Sequence, residues 1–244
     1  FRRLLQETGL SIANVNANTS RSIGGARGRS DPCHPSLIDR RRDVRRRKVE
    51  HLCRALDLAV EIGAANISIA TGRRQPGLSA PDADAFLLES LAEIMAFAER
   101  CGIRVGIECE PGFHVAKVKK LLWVLDRLSH PLAGANLDIG HCVVAGDDPA
   151  EAIRLLRGRI WNIHLEDIRG RVHRHLIPGE GEIDFSPIFK ALGAVGYRRS
   201  VTLELYPYVE MPDEAGRRGL QALTPWIRRR TTRASLPRHP RSGA

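Results

Sequence analysis

Long apolar runs are missing from this 244-residue chain, as are paired cysteines, a glycine-rich nucleotide fingerprint and an even share of lysine among the cations. Each absence excludes something. No apolar run approaches the roughly 20 residues that a membrane-spanning helix needs, so no membrane partner is expected. The five cysteines stand apart, at Cys33, Cys53, Cys101, Cys109 and Cys142, with no CxxC pair. Neither a zinc ribbon nor a disulfide framework is indicated, and a reducing, cytoplasmic setting is expected. No Gly-rich fingerprint follows a strand, which argues against the open doubly wound sheets that bind dinucleotides. Lysine supplies only five of the 38 basic residues, so the net charge of +10 is mostly arginine. Six of those arginines lie in the acid-free stretch after Ile227; without them the charge falls to +4. The other basic run, RRRDVRRRK at 40–48, falls in an expected helix. The charge is therefore read as solvated surface rather than as a nucleic-acid footprint.

What is present is globular: 43% hydrophobic and 27% charged residues. The length suits one large domain, expected over 1–230 and followed by a basic disordered tail at 231–244. Short apolar runs alternate with long amphipathic stretches. Strands are expected at 10–15, 66–70, 103–108, 133–138, 160–164 and 200–204, with a weaker one around 172–177. Helices are expected at about 38–62, from Asp82 or Asp84 to Gly102, at 116–128, at 149–157 behind Asp148, from Ser186 to Val195, and at 213–230. A loop rich in Ser, Gly and Arg fills 18–36. This β-α-β-α order calls for a parallel sheet with helical crossovers, and apolar strands such as ISIA and VTL suit burial on both faces. The expected fold class is α/β, a (β/α)8 TIM barrel. The chain opens on FRRLLQETGL, which reads as the middle of a helix, so the first strand is expected to be absent by truncation.

The chemistry lies in how the strands end. VGI runs into Glu108, ANL into Asp138, IWNI into His164 and VTL into Glu204. Strand C-termini of a parallel barrel converge on one face, where active sites lie. Three carboxylates packed there repel one another and raise each other's pKa, and a divalent cation removes that conflict. Mixed oxygen and nitrogen ligands fit Mn, Mg, Co or Zn. His141, three residues beyond Asp138, points into the same mouth if the chain turns sharply at Gly140. His173 and His175 alternate, so both face one way on an extended segment. Glu110 points the same way as Glu108 if the strand continues. Glu166 and Asp167 read equally well as functional or as solvated loop residues. Arg73 and Arg74 read as ordinary loop charges, with a phosphate grip as the alternative.

The segments GIECEPG, NLDIGHC, HLEDI…HRHLIPGEGEIDF and VTLELYP together resemble the xylose isomerase-like TIM-barrel superfamily, of the sugar-phosphate isomerase/epimerase type, over about residues 1–215. The resemblance implies a divalent metal ion held by Glu108, Asp138, His164 and Glu204. It implies Glu108 and Glu204 as the acid/base pair on opposite faces of a chelated hydroxy-ketone, and His141 as a substrate-contacting residue. His175, Glu110 and Arg169 are further candidates to touch the substrate, Arg169 only as an approximate match to an arginine that the family's epimerases carry. The implied partner is a small carbohydrate, with a homo-oligomer left open. The implied reaction is isomerisation or epimerisation through a metal-stabilised enediolate. Two alternatives share the site. One is a polyol-ketone dehydratase. The other is a multi-zinc apurinic-site endonuclease, to which Asp138, His141, His164, His175 and Glu204 have counterparts. That enzyme type also uses histidines at two earlier strand ends, and here 16–18 and 70–72 offer none.

Overall fold

The structure is a computed structural model in which residues 1–18 and 34–234 are described. The Ser/Gly/Arg loop falls largely outside these residues; of the tail expected at 231–244, residues 231–234 continue the last helix instead and the remainder lies outside the described residues. The elements run α1 (Arg2–Thr8), β1 (Val15–Asn16), α2 (Arg42–Ile62), β2 (Asn66–Ile69), α3 (Ala80–Cys101), β3 (Arg104–Glu108), α4 (Val118–Leu128), β4 (Ala133–Asp138), α5 (Ile139–Ala145), α6 (Pro149–Leu155), β5 (Ile160–Leu165), α7 (Phe185–Ala194), β6 (Val201–Leu203), a 3₁₀ turn (Tyr206–Tyr208) and α8 (Pro212–Ala234). The strands form one parallel sheet in sequential order, each paired with the next. Sequential parallel pairing with a helix in every crossover is the winding of a TIM barrel. Among the described residues β1 and β6 do not pair, so the sheet stays open between them. Among the described residues no helix is long and apolar enough to cross a membrane.

Side chains alternate across a strand, and this period sorts the sheet into two faces. Ile67, Ile69, Val105, Ile107, Ala135, Leu137 and Ile163 join one core with Leu52 and Leu56 of α2, Leu87, Leu91 and Ile94 of α3, Leu121 of α4 and Leu192 of α7. The opposite phase is polar and still buried: Asn66, Ser68, Glu108, Asn136, Asp138, Asn162 and His164. The helices therefore shield an apolar outer face, while the inner face carries the polar groups.

Several local expectations are corrected. Helix α3 starts at Ser79, whose hydroxyl accepts from Asp82 N at 3.1 Å; neither Asp82 nor Asp84 is the cap. Asp184, not Ser186, caps α7. The first strand shrinks to Val15–Asn16, because Leu10 and Ser11 lie exposed beyond the pairing with β2. No strand forms at 172–177. Gly170 and Arg171 adopt positive φ, the chain turns, and only an isolated antiparallel bridge joins Asp167 to Leu176. LDIGHC contains no sharp turn at Gly140; helix α5 begins directly behind Asp138.

Leu137 is 1% exposed on the outer face of β4. Leu137→Ala removes a core side chain and leaves a cavity, so urea denaturation of metal-free protein is expected to lose about 2–5 kcal/mol. A loss below about 1 kcal/mol would show that the outer face is loosely packed.

Candidate metal centre

Alternation along the strands delivers the ligands. Glu108, Asp138 and His164 occupy the inner phase at the C-terminal ends of β3, β4 and β5, and Glu204 follows β6 directly. Register pairs Asp138 with His164. The four side chains meet, each offering a ligand atom within 4.8 Å of the others. His164 Nδ1 lies 2.9 Å from Glu108 Oε1 and 3.3 Å from Glu204 Oε2. Asp138 Oδ1 accepts from His141 N at 2.7 Å and so caps α5, while its other oxygen, Oδ2, is buried with no hydrogen-bond partner. A buried carboxylate oxygen beside three other metal-competent side chains fits a divalent cation. The donor set of three carboxylates and one imidazole suits Mn, Mg, Co or Zn.

Below the ligands runs a polar ladder that the sequence reading missed. Thr202 Oγ1 donates to Asn162 Oδ1 at 3.2 Å. Asn162 Nδ2 donates to Asn136 Oδ1 at 2.9 Å, and Asn136 Nδ2 donates to Glu108 Oε1 at 2.7 Å. Each ladder residue stands two positions before a ligand, in N-x-D, N-x-H and T-x-E. That spacing, inside otherwise apolar strands, was the available signal. Asn18 Nδ2 holds the other oxygen of Glu108 at 3.0 Å.

His141, His173 and His175 form a second group beside the first. His141 Nδ1 donates to Cys109 O at 3.0 Å and His175 Nδ1 donates to Glu204 O at 2.9 Å. Their Nε2 atoms face His173 Nε2 at 2.9 and 3.2 Å. Glu110 lies 3.8 Å from both His141 Nδ1 and His173 Nδ1. Tyr206 packs its ring 4.5 Å from that of His175. The structure does not bring Arg169 to this group. Its guanidinium is exposed and donates to Glu180 O at 2.5 Å. Arg74 lines a separate cavity of about 610 Å³ with Phe113, His114 and Lys120.

Glu166 and Asp167 are both buried, at 0% and 1% exposure, so neither is a solvated loop residue. Asp167 is structural. It accepts from Ile168 N, Gly179 N and Ile183 N and staples the glycine-rich loop beneath it. A Cβ on Gly181 would run into that carboxylate. Glu166 takes no N–H from any described residue and faces the Asp138 carboxyl, with which it can share a proton.

The charges respond to this crowding. Burial, then the neighbouring Glu166, holds Asp138 well above the usual carboxylate range. Burial and Glu108 push Glu110 up to about 8. Burial lowers His141 to about 4, so it is neutral at pH 7. For His164 burial opposes the charge, yet hydrogen bonds to Glu108 and Glu204 outweigh it and raise the value from 6.5 to about 10. Burial likewise opposes ionised Glu204, but His164 pulls it down to about 2.

A sequence profile described as a xylose isomerase-like TIM barrel matches residues 1–229, and the chain belongs to that family. An inosose dehydratase of Clostridium perfringens is 27% identical over 135 residues, which cover 48% of this chain and 46% of that protein. A ketose 3-epimerase of Arthrobacter globiformis is 28% identical over 163 residues, 64% of this chain and 55% of that one. A solved D-tagatose 3-epimerase-like protein superposes with a TM-score of 0.80 at 21% identity, over 96% of this chain and 83% of that chain. The chain spans about half the length of the curated relatives it matches.

In metal-free protein the His164 proton sits between the two glutamates. Its contribution to stability is fully present below pH 6.5 and is lost as pH rises through about 10. A cation taking His164 as ligand must displace that proton. Titration with Mn²⁺ is therefore expected to show apparent affinity rising at least about tenfold per pH unit between about pH 7 and 9. A flat profile would remove His164 from the ligand set.

Proposed function

We propose that the protein is a divalent-metal-dependent isomerase or epimerase acting on a small sugar or related hydroxy-ketone. One observation carries the reading: Glu108, Asp138, His164 and Glu204, from four successive strands, converge within coordinating reach of one point. A divalent cation held there would supply the Lewis acid that polarises a substrate carbonyl and acidifies the neighbouring C–H. The remaining work falls to the side chains. Glu204, with its side chain 26% exposed, is the glutamate nearer solvent, and Glu108 is the buried one. One carboxylate takes the proton from carbon, the C–H electron pair becomes the enediolate double bond, and the carbonyl oxygen takes the negative charge. Return of a proton to the opposite face of the same carbon restores the carbonyl and inverts the carbon; return to the former carbonyl carbon, with the neighbouring hydroxyl's proton passing to the former carbonyl oxygen, isomerises the sugar. Neutral His141 faces the same mouth and offers its imidazole to a substrate hydroxyl. The ladder through Asn136 keeps one Glu108 oxygen fixed while the other is free to work with Asn18 alone.

A second reading is dehydration of a polyol ketone on the same site. Glu110 favours it, because a carboxyl raised to about 8 is protonated at neutral pH and can hand a proton to a departing hydroxide. The inosose dehydratase likeness points the same way.

Incubation of Mn²⁺-loaded protein with a panel of ketoses in heavy water tests both. The expected result is deuterium entry next to the carbonyl of at least one ketose, with Glu108→Gln and Glu204→Gln slowing it by about 10²–10⁴. Loss of water from the product selects the dehydratase reading. Absence of exchange and of water loss across the panel would sink both.

A further inference from the structure

The cavity of about 610 Å³ beside Arg74 lies apart from the metal centre and has no part in the chemistry proposed above. It opens where the loop after β2 meets the loop after β3, and Arg74, Gln75, Gly77, Phe113, His114 and Lys120 are among its lining. Two lining residues are cations and none is an acid. Lys120 Nζ donates to Asp84 Oδ2 at 2.6 Å. Arg74 donates to Leu78 O at 2.9 Å and pairs with no carboxylate among the described residues. The His114 side chain is 6% exposed. Its Nε2 donates to Asp84 Oδ1 at 2.6 Å, so the ring is fixed by the carboxylate that also holds Lys120. Its Nδ1 has no hydrogen-bond partner among the described residues and is left for the cavity that the ring lines.

Helix α4 sharpens the problem. Lys117, Lys119 and Lys120 are three of the chain's five lysines, and they crowd its start. The first turn holds no acid, and Lys117 supplies no side-chain cap. A helix N-terminus favours negative charge and disfavours cations. Asp147 takes one amide there, that of Val118 at 2.8 Å, and Asp84 offsets one lysine. Ala80, the first residue of α3, lines the same cavity, so a second helix start adjoins it.

We infer that this cavity binds a tetrahedral oxyanion of the phosphate class, with Arg74, Lys120 and His114 as its contacts. Arg74 brings a planar fork matched to two phosphate oxygens, and Lys120 brings a point charge. A proton on His114 Nδ1 adds a third charge-assisted donor while Nε2 stays on Asp84. Arg73, whose guanidinium lies 5.8 Å from the Phe113 ring, adds to the positive field from outside the lining. The turn from Glu110 to Val115 carries Glu110 toward His141 and His173 and carries Phe113 and His114 to the cavity. An anion held by His114 therefore steadies the turn that presents Glu110. The phosphoryl group is either free or carried on a sugar, and its contacts are the same in both cases.

The test is isothermal titration calorimetry of the chelator-treated full chain at fixed ionic strength. The probes are inorganic phosphate, a ketopentose and the terminal phosphate ester of that ketopentose. Wild type is expected to bind one inorganic phosphate with a Kd of about 1 mM or tighter. Arg74→Gln and Lys120→Gln are each expected to weaken it at least about tenfold, through loss of a charge-assisted contact. Arg157→Gln, which removes an exposed charge outside the lining, is expected to leave it unchanged. Circular dichroism melting checks each fold, and Arg74 is exposed, so its variant still decides if Lys120→Gln unfolds. Tighter binding of the phosphate ester than of inorganic phosphate, dependent on Arg74, places the anion on a sugar. Equal or weaker binding of the ester makes free phosphate the ligand. Both results uphold the site. Weaker binding of inorganic phosphate than stated, an affinity untouched by Arg74→Gln, or equal weakening by Arg157→Gln would overturn it. Phosphate binding without deuterium exchange into any ketose would keep this site and sink the isomerase reading alone.

Discussion

Mutual repulsion among buried carboxylates is the constraint on which the rest of the molecule turns. Glu108, Asp138 and Glu166 are each at most 2% exposed, and they face Glu204 across a few ångströms. Hydration cannot relieve them, so the protein must. It does so with one imidazolium, His164, bonded to two of the four, and with protons retained on the others through raised pKa values. A proton in this arrangement occupies the place that the proposed metal ion would take. The centre is built for positive charge, and the identity of that charge sets the state of every neighbouring group.

The fold makes this crowding affordable by separating two jobs along a two-residue period. One phase of each strand packs Ile107, Leu137 and Ile163 against the helices and supplies the hydrophobic stability. The other phase carries the ladder and the ligands. Its two asparagines are as fully buried as the core, with Asn162 at 0% and Asn136 at 1% exposure, Thr202 at its far end is half-buried, and its hydrogen bonds cross three strands before reaching Glu108. Networks of this kind fix one arrangement, since each amide has its donors and acceptors committed.

Much of this was legible in residues 104–204. The apolar strands with a ligand-type residue at each end could be read directly, because strand period and barrel geometry are local rules with few exceptions. Six strands and the order of the crossovers followed from the same reasoning. Other features resisted for physical reasons. Ser79 displaced two acids as the cap because the chain before α3 is extended there, which composition does not reveal. Helix α5 was hidden because Ile139–Ala145 is too short to show a periodic face. The segment 172–177 has strand-like alternation, but positive φ at Gly170 and Arg171 turns it away from the sheet. Glu166 and Asp167 looked interchangeable in sequence. Only the backbone amides of Gly179 and Ile183 distinguish them, by satisfying Asp167 and leaving Glu166 bare.

The open side of the sheet gives this arrangement a mechanical meaning. β6 is three residues long and, among the described residues, pairs only with β5, so Glu204 follows the least braced of the four strands that carry the candidate ligands, while Glu108, Asp138 and His164 lie on strands paired on both sides. An ion held by the proposed ligands would act as a rivet through that margin. Binding there would stiffen the sheet's edge as well as prepare the chemistry, so tightness of grip and rigidity of the rim become one property.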